Sequence, residues 1–279
     1  MKIAFTTLAC PQWSLKKICE QAKSCGYDAI DFRGLGADLD ITSSPLFTKE
    51  IQSTARRLRD TGLAVSGISS SIRLCDKTCQ RQNLEEAKRT IDVALALGCE
   101  NVRVFGGGDP ATLGLQASIE IGRACLEEIL SLPAARHLYW LFETHDQWIK
   151  SANYRPLLES IQDPAFGVLW DMHHTIRLGG EAPAETLANV GKRIRYTHLK
   201  DARRDPGHPK AMSDGWRYVA PGEGELPLAE CVRLLRQHGY TGYLVLEHEK
   251  RWHPELEEPE EILPKFAAWA RQVIAETDG

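Results

Sequence analysis

No stretch of this 279-residue sequence carries enough consecutive apolar residues to cross a bilayer. Basic residues do not predominate. The 34 Lys and Arg against 38 Asp and Glu leave a net charge of −4, which argues against the broad cationic face of a nucleic-acid or membrane-surface binder. The eight cysteines include no CxxC pair. Cys75 and Cys79 come nearest, and no second pair or adjacent histidine completes a zinc site, so free thiols of a cytoplasmic protein are expected. No signal peptide is expected in the residues given. The start, MKIAFTTLACPQW, offers an apolar run of only a few residues before Pro11 and Trp13, and reads as a first strand. Where a dinucleotide-binding open sheet would carry a Gly-rich first loop, this chain has Thr6-Thr-Leu-Ala-Cys-Pro11. No linker or low-complexity segment divides it. Histidine is absent before position 137, and all nine lie at or beyond it, which places the polar chemistry in the second half.

What is present is a regular alternation. Apolar residues make up 43% of the chain, enough for a large core. Strand-like runs at 2–6, 28–32, 64–68 and 101–105 alternate with helical spacing at 14–25, 46–61, 83–97 and 115–131. Gly26, Gly62 and Gly98 read as left-handed helix stops, and Asn83-x-x-Glu86 as a helix start. The second half repeats the pattern, with strands ending at Glu143, Asp171, His198 and Glu247 and helices near 154–162, 183–190, 228–238 and 259–276. Eight strand–helix units of about 35 residues suit an α/β fold, a closed (β/α)8 TIM barrel, as one domain over 1–279.

The four residues that end those later strands are three carboxylates and one imidazole. On the C-terminal face of a barrel, where catalysis occurs, they form the ligand set of a single divalent metal ion. Oxygen-rich donors put Mn2+ first; Mg2+, Co2+ and Zn2+ also fit. A lone charged residue at a strand end would merely cap it, but four on successive strands point to chemistry. His145 and His174 follow two and three residues after Glu143 and Asp171, at the rim, where an imidazole can hold a substrate oxygen or move a proton. Lys200 shares a strand face with His198, where it can bind a substrate oxygen or pair with a neighbouring carboxylate. Arg203 and Arg204 lie near the same rim. His173, His208 and His238 read as surface or structural. Trp148 and Trp252 fit a sugar-facing wall or the core about equally. The ligand spacings are 28, 27 and then 49 residues. The excess lies in the polar segment 201–225, which is expected to be a loop over the site and a candidate lid, with Arg203, Arg204 and Lys210 as its positive charge and Glu223 fixing its turn.

Together, Glu143-x-His145, Trp170-Asp171-x-x-His174, His198-x-Lys200-Asp201, Gly222-Glu223-Gly224 and Glu247 make the whole chain resemble the xylose isomerase-like barrel superfamily. That group holds sugar-phosphate isomerases and epimerases, myo-inositol-pathway enzymes and endonuclease-IV-type nucleases. The resemblance implies that Glu143, Asp171, His198 and Glu247 hold the metal. It also implies that Glu143 and Glu247 flank the reacting carbon as a proton-transfer pair, and that His174 and Arg204 contact substrate oxygens. The nuclease branch carries further histidines after its third and fourth strands. Here those ends read Ile68-Ser-Ser-Ser71 and Val104-Phe-Gly-Gly-Gly108, so abasic-site cleavage is not expected.

The expectation is a metal-dependent isomerase or epimerase of a small sugar, sugar phosphate or keto-polyol, working by proton transfer through a metal-stabilised enediolate. A dehydratase of the inosose or dehydroshikimate type is second, with His145 as an imidazole base. A barrel that binds sugar and metal without turnover is the non-enzymatic alternative. Small-molecule partners are expected, without nucleic acid or membrane. The sequence neither requires nor excludes a homo-oligomer.

Overall fold

The computed structural model describes residues 1–277. Its strands are β1 (Lys2–Thr6), β2 (Ala29–Phe32), β3 (Ala64–Arg73), β4 (Asn101–Phe105), β5 (Tyr139–Glu143), β6 (Phe166–Asp171), β7 (Ile194–Leu199), β8 (Asp201–Arg204), β9 (Trp216–Val219) and β10 (Tyr243–Leu246). Eight of them close into a parallel barrel in the order β1-β10-β7-β6-β5-β4-β3-β2, while β8 and β9 pair separately. Helices α1 (Leu15–Ser24), α2 (Ile51–Thr61), α3 (Gln80–Leu97), α4 (Pro110–Leu113), α5 (Leu115–Ser131), α6 (Ser151–Ser160), α7 (Pro183–Val190), α8 (Leu228–Gln237) and α9 (Pro259–Thr277) fill the connections. This is the (β/α)8 architecture that the alternation predicts.

Two-residue alternation along each strand sorts the core into two layers. Outward residues such as Ile3, Phe5, Trp140, Phe142 and Trp170 join the main apolar layer with the buried faces of the helices. Inward residues Ala4, Ala29, Leu141, Leu169, Tyr196 and Val245 make a small plug inside the barrel. Three helices stop as the sequence suggests: Gly26 follows α1 at φ of 75°, and Gly62 and Gly98 cap α2 and α3 at φ of 75° and 67°, a left-handed conformation costly for residues with a Cβ.

Two expectations change. Helix α3 begins at Gln80, so Asn83 and Glu86 lie inside it rather than at its start. The reason is that β3 runs on to Arg73 and needs partners there. The Asn83 side chain accepts from the Arg73 N–H (3.1 Å) and donates to the Arg73 carbonyl (2.9 Å), while Glu86 accepts from the Ser71 N–H (2.6 Å). The 201–225 segment, expected to be a loop, contains the antiparallel hairpin β8–β9, pairing Asp201 with Val219 and Arg204 with Trp216. Trp148 proves to be core, wholly buried, with its indole N–H on the Gly107 carbonyl at 2.8 Å.

Candidate metal centre

Each ligand candidate sits two residues beyond a member of the inner plug: Leu141 then Glu143, Leu169 then Asp171, Tyr196 then His198, Val245 then Glu247. Strand alternation therefore turns all four inward, directly above the plug. One ligand atom from each lies within 4.8 Å of the others. Glu143, Asp171 and His198 are fully buried, and Glu247 is 6% exposed. Three buried carboxylates this close repel one another unless cations compensate them.

The chain supplies some of that compensation. Lys200 Nζ lies 2.8 Å from Asp171 Oδ2, donates to Glu247 Oε2 and to Glu249 Oε1 at 2.9 Å. Arg103, from β4, donates to Glu143 Oε2 at 2.9 Å. His198 Nδ1 is 3.0 Å from Glu143 Oε1 and 3.3 Å from Glu247 Oε1, and its Nε2 is buried without a hydrogen-bond partner. The Nδ1 edge of His198, set against two of three clustered carboxylates, gives a donor set of one imidazole nitrogen and carboxylate oxygens that suits a divalent ion.

The electrostatics express the same crowding. Burial pushes the Asp171 carboxyl up to about 6, against the pull of Lys200 and with help from Glu247 and Glu143. For His198, burial works against the imidazolium, but Glu247 and Glu143 outweigh it and raise the ring to about 10. Burial also opposes ionisation of Glu143, yet Arg103 holds it well below the usual carboxylate range. His174 is pushed down to about 3 by burial and by Lys200, so it is neutral.

His174 belongs to the centre. Its backbone N–H donates to Asp171 Oδ1 at 3.0 Å, and Nδ1 meets the Thr144 carbonyl at 3.0 Å. His145 stacks edge-on against His174 at 4.7 Å and on Phe105 at 4.8 Å, with Nδ1 2.7 Å from Asp146 Oδ1. Lys200, on the face it shares with His198, is inside the cluster and pairs with its carboxylates. Arg204 stands exposed on the hairpin; its backbone N–H goes to Glu225, and no contact among the described residues joins its side chain to the four ligands. Arg203 is likewise exposed, donating to the Glu223 carbonyl. His173 is buried rather than on the surface and accepts from Arg177 Nε at 2.9 Å, within 4.8 Å of ligand atoms of Asp171 and His174.

The hairpin is anchored beside the centre. Asp201 accepts from the backbone N–H groups of Ala202, Gly222, Gly224 and Leu226 at 2.8–3.3 Å. The Gly-Glu-Gly motif lets the chain wrap that closely, because a Cβ at Gly224 would overlap the Asp201 carboxylate. Farther out, Arg177 pairs with Asp214 at 2.5 Å, and Tyr218 lies against His173 with its hydroxyl 3.4 Å from Glu249.

Sequence reasoning missed Arg103, Arg33 and Glu249. Arg103 was open to discovery, since alternation places it one step below Phe105 on the inward face. A cleft of about 620 Å3 opens between Arg73, Asp76, Gly108, Thr112 and Asp146. None of the four ligand candidates lines it, and the donor chemistry outweighs its size as a guide to the site.

A closed parallel barrel with a buried carboxylate–imidazole set above its inner plug defines a TIM barrel with a candidate metal centre. The model of the xylose isomerase-like TIM barrel family matches residues 19–273, and the chain belongs to that family. Among curated relatives, the inosose dehydratase of Klebsiella pneumoniae is 33% identical over 131 residues, which is 43% of this chain and 42% of that enzyme. The chain thus spans less than half the length of the curated relatives it matches. Among solved structures, the IolI protein with a bound zinc atom superposes with a TM-score of 0.82 at 17% identity, over 99% of both chains. The probable 3-DHS dehydratase AsbF of Bacillus anthracis gives 0.77 at 19% identity, over 97% of this chain and 99% of that one. Those two likenesses are of fold. Among the described residues, no helix is long and apolar enough to cross a membrane.

Proposed function

We propose that this protein is a divalent-metal-dependent dehydratase of a small keto-polyol. It removes the proton next to the carbonyl and expels a β-hydroxyl as water. The observation that carries this choice is the unequal tying of the two candidate proton-transfer carboxylates. Glu143 has both oxygens engaged, one by His198 and one by Arg103. Arg103 is not a ligand candidate and would stay on Glu143 with a metal held. Glu247 is tied to Lys200 and His198, groups that a bound ion would displace. Epimerisation through paired carboxylates needs a free one on each face of the reacting carbon, whereas elimination needs one base and one acid. The partial likeness to inosose dehydratase supports the same reading.

Glu143, Asp171, His198 and Glu247 would hold the ion, Mn2+ by their oxygen-rich chemistry. Held there, it would compensate the negative charge that grows on the substrate oxygen as the proton leaves. Glu247 takes the proton. Lys200 donates to a substrate oxygen. His174, with Nδ1–H on Thr144, turns Nε2 to a substrate hydroxyl. His145, fixed through Nδ1 by Asp146, protonates the departing hydroxyl. The C–H and C–O bonds break, a C=C bond forms and water leaves. The free cysteines fit a cytoplasmic location.

The test is a panel of keto-inositol, dehydroshikimate and ketoses with Mn2+-loaded protein in deuterated water. Loss of one water with a new unsaturated product is expected from at least one cyclic ketone. An epimer or isomer carrying deuterium at the reacting carbon, with no water lost, would overturn the dehydratase reading.

A further inference from the structure

Arg33 follows β2 at the C-terminal mouth of the barrel and is 8% exposed, yet it makes no ion pair among the described residues. Its hydrogen bonds both leave from Nη1, to the Ser69 carbonyl at 3.3 Å and to Ser71 Oγ at 2.8 Å. Nε and Nη2 have no partner among the described residues. Glu86, on α3, acts on Arg33 from a distance, but its carboxylate is spent on the Ser71 N–H. Arg103 adds like charge nearby. A buried guanidinium is ordinarily paired with an anion, and here the protein supplies none in contact.

The surroundings connect Arg33 to the metal centre. Its guanidinium lies 6.0 Å from the centre of the Phe105 ring, Arg103 lies 3.7 Å from the same ring, and His145 packs on it at 4.8 Å. Arg103 in turn holds Glu143. Phe105 is therefore a neighbour common to Arg33, Arg103 and His145, and Arg103 touches the ligand set through Glu143.

We infer that the substrate carries a carboxylate, received by the free fork of Arg33 and the Ser71 hydroxyl, beside Phe105 at the mouth that holds the metal ligands. This rests on the reading of the centre given above. A guanidinium fork matches a carboxylate in two parallel hydrogen bonds. A phosphate dianion would call for a second cation, and Arg103 is already committed to Glu143. The structural alternative is that Arg33 only ties β2 to β3.

Calorimetric titration with unreactive probes separates these. Quinate is a cyclic polyol with a carboxylate, and myo-inositol is its neutral counterpart. Wild-type Mn2+-loaded protein is expected to bind quinate at least about tenfold more tightly than myo-inositol. Arg33→Gln should remove about tenfold to hundredfold of quinate affinity and far less of inositol affinity. Arg33→Lys should retain part of the preference, and it carries the test if Arg33→Gln does not fold. Equal binding of the two probes by wild type, equal loss of both in the variant, or tighter binding of inositol 1-phosphate than of quinate would overturn the inference. Mn2+ uptake, measured separately on wild type and Asp171→Asn, reports on the centre itself. The two-probe comparison on metal-free protein still decides Arg33 if no metal binds.

Discussion

Replacing Lys200 with methionine tests whether its ammonium and a divalent ion share the same oxygens. Nζ, on a side chain 4% exposed, contacts Asp171 at 2.8 Å, Glu249 at 2.9 Å and Glu247. Removing one partner of a buried ion pair costs about 3–5 kcal/mol, because the remaining charge is left uncompensated. With an ion bound, Asp171 and Glu247 are compensated from the other side. Only Glu249, whose side chain is 17% exposed, loses its partner, and the cost falls to about 1 kcal/mol. The difference of about 2–4 kcal/mol must reappear around the closed cycle as tighter metal binding by the variant. At about 1.4 kcal/mol per decade that is about 30-fold to 1,000-fold. Urea unfolding of both proteins, with chelator and with Mn2+, measures two sides of the cycle. Competition against a chelator of known affinity measures a third. Equal destabilisation in the two conditions, or an unchanged Kd for Mn2+, would refute the reasoning.

Metal uptake at pH 7 should release about one proton, because His198, raised to about 10, is protonated before binding and must be neutral to bind. Titration in two buffers of different ionisation enthalpy reads this, and no release means that His198 is not a ligand. In the metal-free protein the same shift has a sign for stability. A folded pKa above the ordinary value of 6.5 gives a contribution present below pH 6.5 and lost as pH rises toward 10, so the chelated protein should weaken over that window in urea melts. Glu143→Gln and Glu247→Gln should each lower turnover by about two or more orders of magnitude with native circular dichroism; near-full activity in both would discard their roles. Arg177→Ala removes the Asp214 contact from a guanidinium on a side chain 6% exposed. Hydrogen exchange should then quicken in 205–216, and unchanged protection would show that this pair does not hold the hairpin tip.

Much of this architecture is legible before any coordinates, because β1, β4 and β6 are dense apolar runs bounded by turn residues, and their limits in space match their limits in sequence. The four ligand candidates were visible for the same reason: each is the polar residue at which an apolar run ends. What stays hidden is set by partners distant in the chain. Asn83 looks like a helix cap from its neighbours alone, and only the extension of β3 to Arg73 shows what it serves. The β8–β9 segment is too polar to read as strands, since its stability comes from Asp201 gathering four backbone N–H groups and from Arg177 reaching Asp214. For Lys200, alternation gives the face it shares with His198 but not the depth, and only the structure shows that it meets Asp171, Glu247 and Glu249. Arg103 and Glu143 are 40 residues apart, and no local pattern announces that pairing.

The ligand candidates lie at the ends of β5, β6, β7 and β10, which are consecutive in the barrel wall, whereas Phe105 ends β4, and Arg33 and most of the 620 Å3 cleft come from the ends of β2, β3 and β4 and the connections after them. The cage and the reader are thus written on different stretches of the gene. A recombination joint between Ser131 and Tyr139 would exchange the reader and leave the cage whole, provided that the incoming half restores an arginine opposite Glu143. Descent by such exchange would let a lineage change what it accepts without reinventing how it reacts.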